Sequence, residues 1–171
     1  MARTLVFFFV LLSGFTVKSQ SDKGLGDRLY FGGGFGLNSR NNISYFNLSP
    51  QLGYKITDPF SVGIGAVYQY TVNQIQGTSF ILYGGNLFSR YVIVKNFFAT
   101  TEYEILAFRD QPDIWNTGFK SWFVGGGYSY PIRGNVSFNA TGLYNLLWNR
   151  SNGYTLYGSP FNLRVGLNVG F

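Results

Sequence analysis

The closing stretch of the chain, Phe161-Asn162-Leu163-Arg164-Val165-Gly166-Leu167-Asn168-Val169-Gly170-Phe171, alternates without a break. Every odd position is large and apolar, and every even one is Asn, Arg or Gly. Side chains along a β-strand point to opposite faces in turn, so this stretch makes a strand with one greasy face and one small or polar face. Either a soluble sandwich or a membrane barrel uses such a strand, and the contents of the polar face separate the two.

The same alternation recurs upstream in segments of roughly ten residues. Leu29, Phe31, Phe35 and Leu37 oppose three glycines; Phe46, Leu48, Leu52 and Tyr54 oppose Asn47, Ser49, Gln51 and Gly53; Val62, Ile64, Tyr68 and Tyr70 oppose Gly63, Gly65 and Gln69. Further along, Trp122, Val124, Tyr128 and Tyr130 oppose Ser121, Gly125, Gly127 and Ser129. Val136, Phe138, Ala140, Tyr144 and Leu146 oppose Ser137, Asn139, Thr141 and Asn145. A solvated sheet face normally carries Lys, Glu and Thr, whereas Gly, Ser and Asn suit a narrow lumen on which eight strands converge. The pattern therefore predicts an all-β fold, an eight-stranded antiparallel up-and-down transmembrane β-barrel.

Two strands, about Phe80 to Val94 and Phe97 to Ala107, hold charges on the lumen face. With Arg90 inward, Asn86, Glu102 and Glu104 are inward too, and Tyr83, Leu87, Tyr91, Tyr103 and Ile105 meet lipid. Matching faces across this hairpin pairs Val94 with Phe98 and leaves Lys95-Asn96-Phe97 as the connection. Arg90 then stands opposite Glu102, and a cross-strand ion pair is expected. Arg164 shares the lumen, giving a charge network of Arg90, Glu102, Glu104 and Arg164.

Connections at one end are expected to be short (Thr57-Asp58-Pro59, Lys95-Asn96-Phe97 and 131–135). Those at the other (38–42, 73–79, 109–118 and 149–159) are mostly longer and more polar, which puts both termini on the periplasmic side. Ahead of the barrel, Arg3, the apolar run Leu5 to Leu12, and Val17 and Ser19 at the small-residue positions read as a signal peptide cut after Ser19. That run is too short to cross about 30 Å of hydrocarbon, which takes roughly 20 residues. The domain reading is thus signal peptide 1–19, periplasmic tail 20–27 and barrel 28–171. The chain has no Cys and no His, so a disulfide framework, a Ser-His-acid triad and a zinc site built on Cys or His cannot be assembled. No cofactor is expected.

The segments Ser49-Pro50-Gln51-Leu52-Gly53-Tyr54-Lys55-Ile56-Thr57-Asp58, Val62-Gly63-Ile64-Gly65, Phe88-Ser89-Arg90-Tyr91 and Gly125-Gly126-Gly127-Tyr128, with the terminal Phe171, resemble the OmpX/OmpA-like outer-membrane barrel proteins of Bacteroidota over essentially the whole mature chain. The resemblance implies a place in the bacterial outer membrane. It also gives Leu167, Val169 and Phe171 the role of the signal read by the barrel-assembly machinery. It assigns no particular activity.

Other motifs reduce to structure. Gly32-Gly33-Gly34-Phe35-Gly36 runs on as a strand rather than opening a helix, so it does not cradle phosphate. Glu102 and Glu104 have the spacing of an acid and base pair, but Arg90 and Arg164 in the same lumen would keep both ionised, which favours a structural network. Barrel enzymes of this size that act on lipid A depend on a histidine, and none is present. Tyr68, Tyr70, Tyr83, Tyr91, Trp122, Tyr128, Tyr130 and Trp148 read as interfacial girdles, and Trp115, Tyr154 and Tyr157 as aromatics of the outer loops. The net charge of +6 falls to +4 once Arg3 and Lys18 are removed; the cations are scattered singly, which argues against nucleic acid. Arg40, Arg109, Lys120 and Arg150 map to the outer rim, where lipopolysaccharide phosphates are the expected partners. The function expected is a non-enzymatic outer-membrane barrel with a structural or interaction role. An accessory subunit of a larger outer-membrane secretion, uptake or barrel-assembly complex is the alternative, and a small pore ranks after it.

Overall fold

The computed structural model describes residues 25–40, 42–109, 118–148, 157 and 159–170. A single 3₁₀ turn, Leu25–Arg28, leads into eight strands: β1 (Leu29–Arg40), β2 (Ile43–Lys55), β3 (Phe60–Asn73), β4 (Thr78–Val94), β5 (Phe97–Phe108), β6 (Phe119–Arg133), β7 (Val136–Asn145) and β8 (Phe161–Val169). Each pairs antiparallel with its sequence neighbours, and β8 returns to β1 to close the barrel. The strands fall where the alternation put them. The expected signal peptide and most of the expected tail lie outside the described residues.

Alternation translates into an inverted pattern of burial. The inward face carries Asn47, Ser49, Gln69, Thr71, Asn86, Glu102, Glu104, Asn139, Arg164 and Asn168, all buried. The outward face carries Phe31, Leu37, Ile64, Leu87, Phe161 and Leu163, with Leu37 65 % exposed and Leu163 64 %. Both outward and inward faces of β4 and β5 agree with the sequence reading.

The β4–β5 register does not. Arg90 pairs with Thr100 and Glu102 with Phe88, so the expected Arg90–Glu102 cross-strand pair is absent. A displacement of two residues leaves every side chain on its own face, and so the period-2 pattern cannot detect it. The turn decides instead. Lys95 takes a left-handed φ of +46°; Val94 pairs with Phe97 across the two-residue turn Lys95-Asn96, and Ile93 bulges out of the ladder. The β6–β7 hairpin repeats the device, with Gly134 at φ +56° and Ile132 displaced between Pro131 and Arg133. A left-handed first residue matches the strand twist in a two-residue hairpin, and the bulge absorbs the extra residue.

Connection lengths need a second correction. At the end opposite these hairpins, 41–42 and 74–77 are as short as the supposed short turns, and only the β5–β6 and β7–β8 connections are long.

The lumen also departs from the expected small and polar lining. Its half toward the long connections is apolar, built from Tyr45, Val67, Leu82, Leu106, Phe123 and Leu143 around Tyr157. These residues sit where the alternation lapses into continuous apolar runs, as in Ile81-Leu82-Tyr83 and Trp122-Phe123-Val124. The lapse is the sequence trace of a plug.

The β1–β8 seam is tight because both strands present glycine. A Cβ on Gly166 would be driven into the Gly33 carbonyl of β1, whereas one on Gly142 would meet nothing within 4 Å. Gly166→Ala is expected to destabilise the barrel by about 1–3 kcal/mol, as overpacking does. Gly142→Ala should leave stability within roughly 0.5 kcal/mol, both measured by urea unfolding of protein refolded into lipid vesicles.

Candidate functional site

The lumen holds the chemistry. Arg164 on β8 lies between Thr141 of β7 and Gly36 of β1; a Cβ at Gly36 would make ordinary van der Waals contact with the Arg164 Cγ, at 3.6 Å. Reaching across the lumen to β5, its Nη1 meets Glu102 Oε2 at 2.6 Å and its Nη2 meets Glu104 Oε2 at 3.5 Å. Asn86 Nδ2 donates to the same Glu102 oxygen at 3.4 Å. All four residues are buried. One guanidinium fork thus serves two carboxylates, in keeping with its planar, five-donor geometry.

Tyr157 completes the layer from above. Sequence reasoning put it among the outer-loop aromatics, but it is buried in the barrel and its hydroxyl donates to Glu104 Oε1. Its ring meets Tyr45 edge-on at 5.3 Å and Phe123 at 5.4 Å. Trp148, read as a girdle residue, instead packs against this cluster and donates from Nε1 to the Tyr157 carbonyl at 3.0 Å. Arg164 stacks on Phe123 at 5.0 Å, so the ionic layer and the aromatic layer touch.

Arg90 stands apart from the carboxylates, one consequence of the corrected register. Its guanidinium stacks on Phe98 at 4.2 Å. With the Asn168 amide turned so that its oxygen faces the donors, that oxygen accepts from Arg90 Nη1 at 2.8 Å and from Asn139 Nδ2 at 3.0 Å. Of the four expected network members, the structure therefore joins Arg164, Glu102 and Glu104, and places Arg90 with Asn168 and Asn139, which alternation marked only as polar lumen positions.

Neither carboxylate is free to act as an acid or base on a substrate. Both are engaged by Arg164, and the void that Arg90, Glu102 and Arg164 share is about 30 Å³, the share of one water molecule. Among the described residues no group of His, Cys, Asp or Glu is placed to hold a metal ion.

The outer surface carries the expected aromatics at both ends. Tyr128 meets Phe97 edge-on at 4.9 Å and its hydroxyl accepts from Asn96 Nδ2 at 3.2 Å. At the other end Tyr144 meets Phe161 at 5.1 Å, and Tyr68, Tyr70 and Trp122 are exposed. Leaving one Leu- or Phe-sized side chain in water forgoes roughly 1.5–3 kcal/mol. Ten of them forgo more than the whole stability of a typical domain, about 5–15 kcal/mol, so an apolar liquid must cover this band. The chain is a membrane-spanning β-barrel.

Leu167 and Val169 face outward on β8, each 51 % exposed, while Phe171 lies outside the described residues. Of the expected rim cations, Arg109 and Lys120 flank the β5–β6 connection and are exposed. The Arg40 side chain and all of Arg150 lie outside the described residues, as do Trp115 and Tyr154.

No protein-family model matches the sequence, and no curated protein matches it. Among solved structures the chain is similar to the Yersinia pestis outer membrane protein Ail in a phospholipid bilayer nanodisc, with 13% identity, a TM-score of 0.49, and 83% of this chain and 97% of that one covered. It is similar to the de novo designed TMB2.3, with 17% identity, a TM-score of 0.49, and coverage of 87% and 97%. A structure described under de novo design of transmembrane β-barrels matches with 12% identity, a TM-score of 0.45, and coverage of 87% and 98%. The membrane assignment rests on the surface of this chain, not on those likenesses.

Removing the shared cation tests the network. Arg164→Met leaves two neighbouring carboxylates of β5 unpaired in a buried layer and is expected to cost about 3–5 kcal/mol, as breaking a buried ion pair does. Adding Glu102→Gln and Glu104→Gln to it should restore most of that loss in the same urea titration, because the uncompensated charges are then gone.

Proposed function

We propose that this protein is a non-enzymatic integral barrel of the bacterial outer membrane, with its short β4–β5 and β6–β7 turns and both termini toward the periplasm, and with a structural or interaction role in the envelope. The observation that carries the reading is the doubly closed lumen. The Arg164–Glu102–Glu104 layer fills the cross-section, and the Tyr45–Tyr157–Phe123 layer seals it on the side of the long connections. Among the described residues, a barrel closed in this way leaves no path for solutes through its two layers, so its outer surface, its mouths and its long connections are the working parts.

The OmpX/OmpA-like resemblance supports the same placement. It makes the outward residues Leu167 and Val169, followed by Phe171, the segment presented to the barrel-assembly machinery during insertion. At the opposite rim, Arg109 and Lys120 suit the phosphates of lipopolysaccharide, and the chain order of the connections makes Arg40 and Arg150 the further candidates for that role.

In planar bilayers the purified protein should give no stable conductance steps; large, long-lived channels would exclude a sealed lumen. Neutralising Arg40, Arg109, Lys120 and Arg150 together should lower the lipopolysaccharide that co-purifies with the barrel several-fold, on the scale of four surface ion pairs worth up to about 1 kcal/mol each. Unchanged lipid content would remove that role from the rim.

A further inference from the structure

The mouth at the short-turn end contains a second polar feature that the sealed layers do not use. A cavity of about 270 Å³ opens there, lined by Arg90, Lys95, Ser129 and Ser137 with Val92 and Val136 beside them. Arg90 is only 8 % exposed. Its Nη1 is engaged by Asn168, yet its Nε and the Ser137 hydroxyl are both buried with no hydrogen-bond partner among the described residues. No described carboxylate lies within ion-pair distance of Arg90, both lumen carboxylates being held by Arg164. None of the residues lining the cavity is acidic. A buried guanidinium with an unused N–H costs free energy unless an acceptor meets it.

We infer that this mouth is a binding site for a phosphate group, with Arg90 as the buried anchor, Ser137 as the hydroxyl donor and Lys95 as the cation at the rim. A tetrahedral oxyanion offers several acceptor oxygens to a guanidinium, an ammonium and a hydroxyl at once, and such charge-assisted bonds are the stronger kind. Val92 and Val136 leave room for the organic part of a phosphate ester. The two sources of that chemistry are soluble phosphate and the phosphate of a phospholipid headgroup in the adjoining leaflet. The inference is independent of the role proposed for the opposite rim.

The test uses the full-length barrel, refolded first into a maltoside detergent that carries no phosphate. Inorganic phosphate is titrated in at constant ionic strength against chloride, and the Arg90 Nε–H and Ser137 backbone amide resonances are followed by NMR. A parallel arm compares nanodiscs of phosphatidylglycerol with nanodiscs of a phosphate-free galactolipid. Saturable shifts of both resonances with inorganic phosphate support the site and assign it a soluble ligand; shifts confined to phosphatidylglycerol support it and assign a headgroup. Affinity should fall about tenfold in Arg90→Gln and about threefold in Lys95→Gln, the scale of losing a buried and an exposed charge-assisted bond. Should Arg90→Gln fail to fold, Lys95→Gln in the β4–β5 turn and Ser137→Ala on β7, both lining the cavity, carry the comparison. No saturable shift in either arm, or equal affinity in every folded variant, overturns the inference.

Discussion

A strand surrounded by hydrocarbon has no water to satisfy its backbone, so every N–H and C=O must find another strand. The closure of β8 onto β1 meets that demand here, and everything else in the molecule is arranged around it. Closing eight strands leaves an interior only wide enough for side chains. The glycines of β1 and β8 let the two backbones approach, and the outward row of Phe, Leu, Tyr and Val follows because that side faces lipid.

Within so narrow an interior a charge has nowhere to hide, and the chain's answer is to share. Arg164 spans the lumen from β8 to β5 and holds two carboxylates from one strand. Because the guanidinium also lies over Phe123, the polar layer and the aromatic plug are one packed unit. That coupling explains why Tyr157, from a connection rather than a strand, is buried: its hydroxyl reaches Glu104 while its ring fills the space between Tyr45 and Phe123.

The fold was largely legible in the sequence, since alternation is a local property and eight strands repeated it. Strand positions, facing and the inward placement of Arg90, Glu102, Glu104 and Arg164 all follow from period 2. What alternation cannot carry is anything invariant to a two-residue slide. The Arg90–Glu102 expectation failed for that reason, and the left-handed Lys95 with the bulged Ile93 shows what sets the true register. The apolar plug was visible only as lapses in the pattern at Leu82, Leu106 and Phe123, easily read as noise until neighbouring strands place them at one height. Tyr157 left no periodic trace at all, because a connection has no period.

The position of Arg164 on the last strand has a consequence for how the molecule is made. Glu102 and Glu104 belong to β5, laid down well before the chain reaches β8, so an unclosed sheet carries two neighbouring carboxylates with no cation between them. Their partner arrives only with the strand that shuts the seam. Pairing of the buried carboxylates and closure of the wall are therefore linked, because the guanidinium that holds Glu102 and Glu104 is carried by the strand that docks on β1.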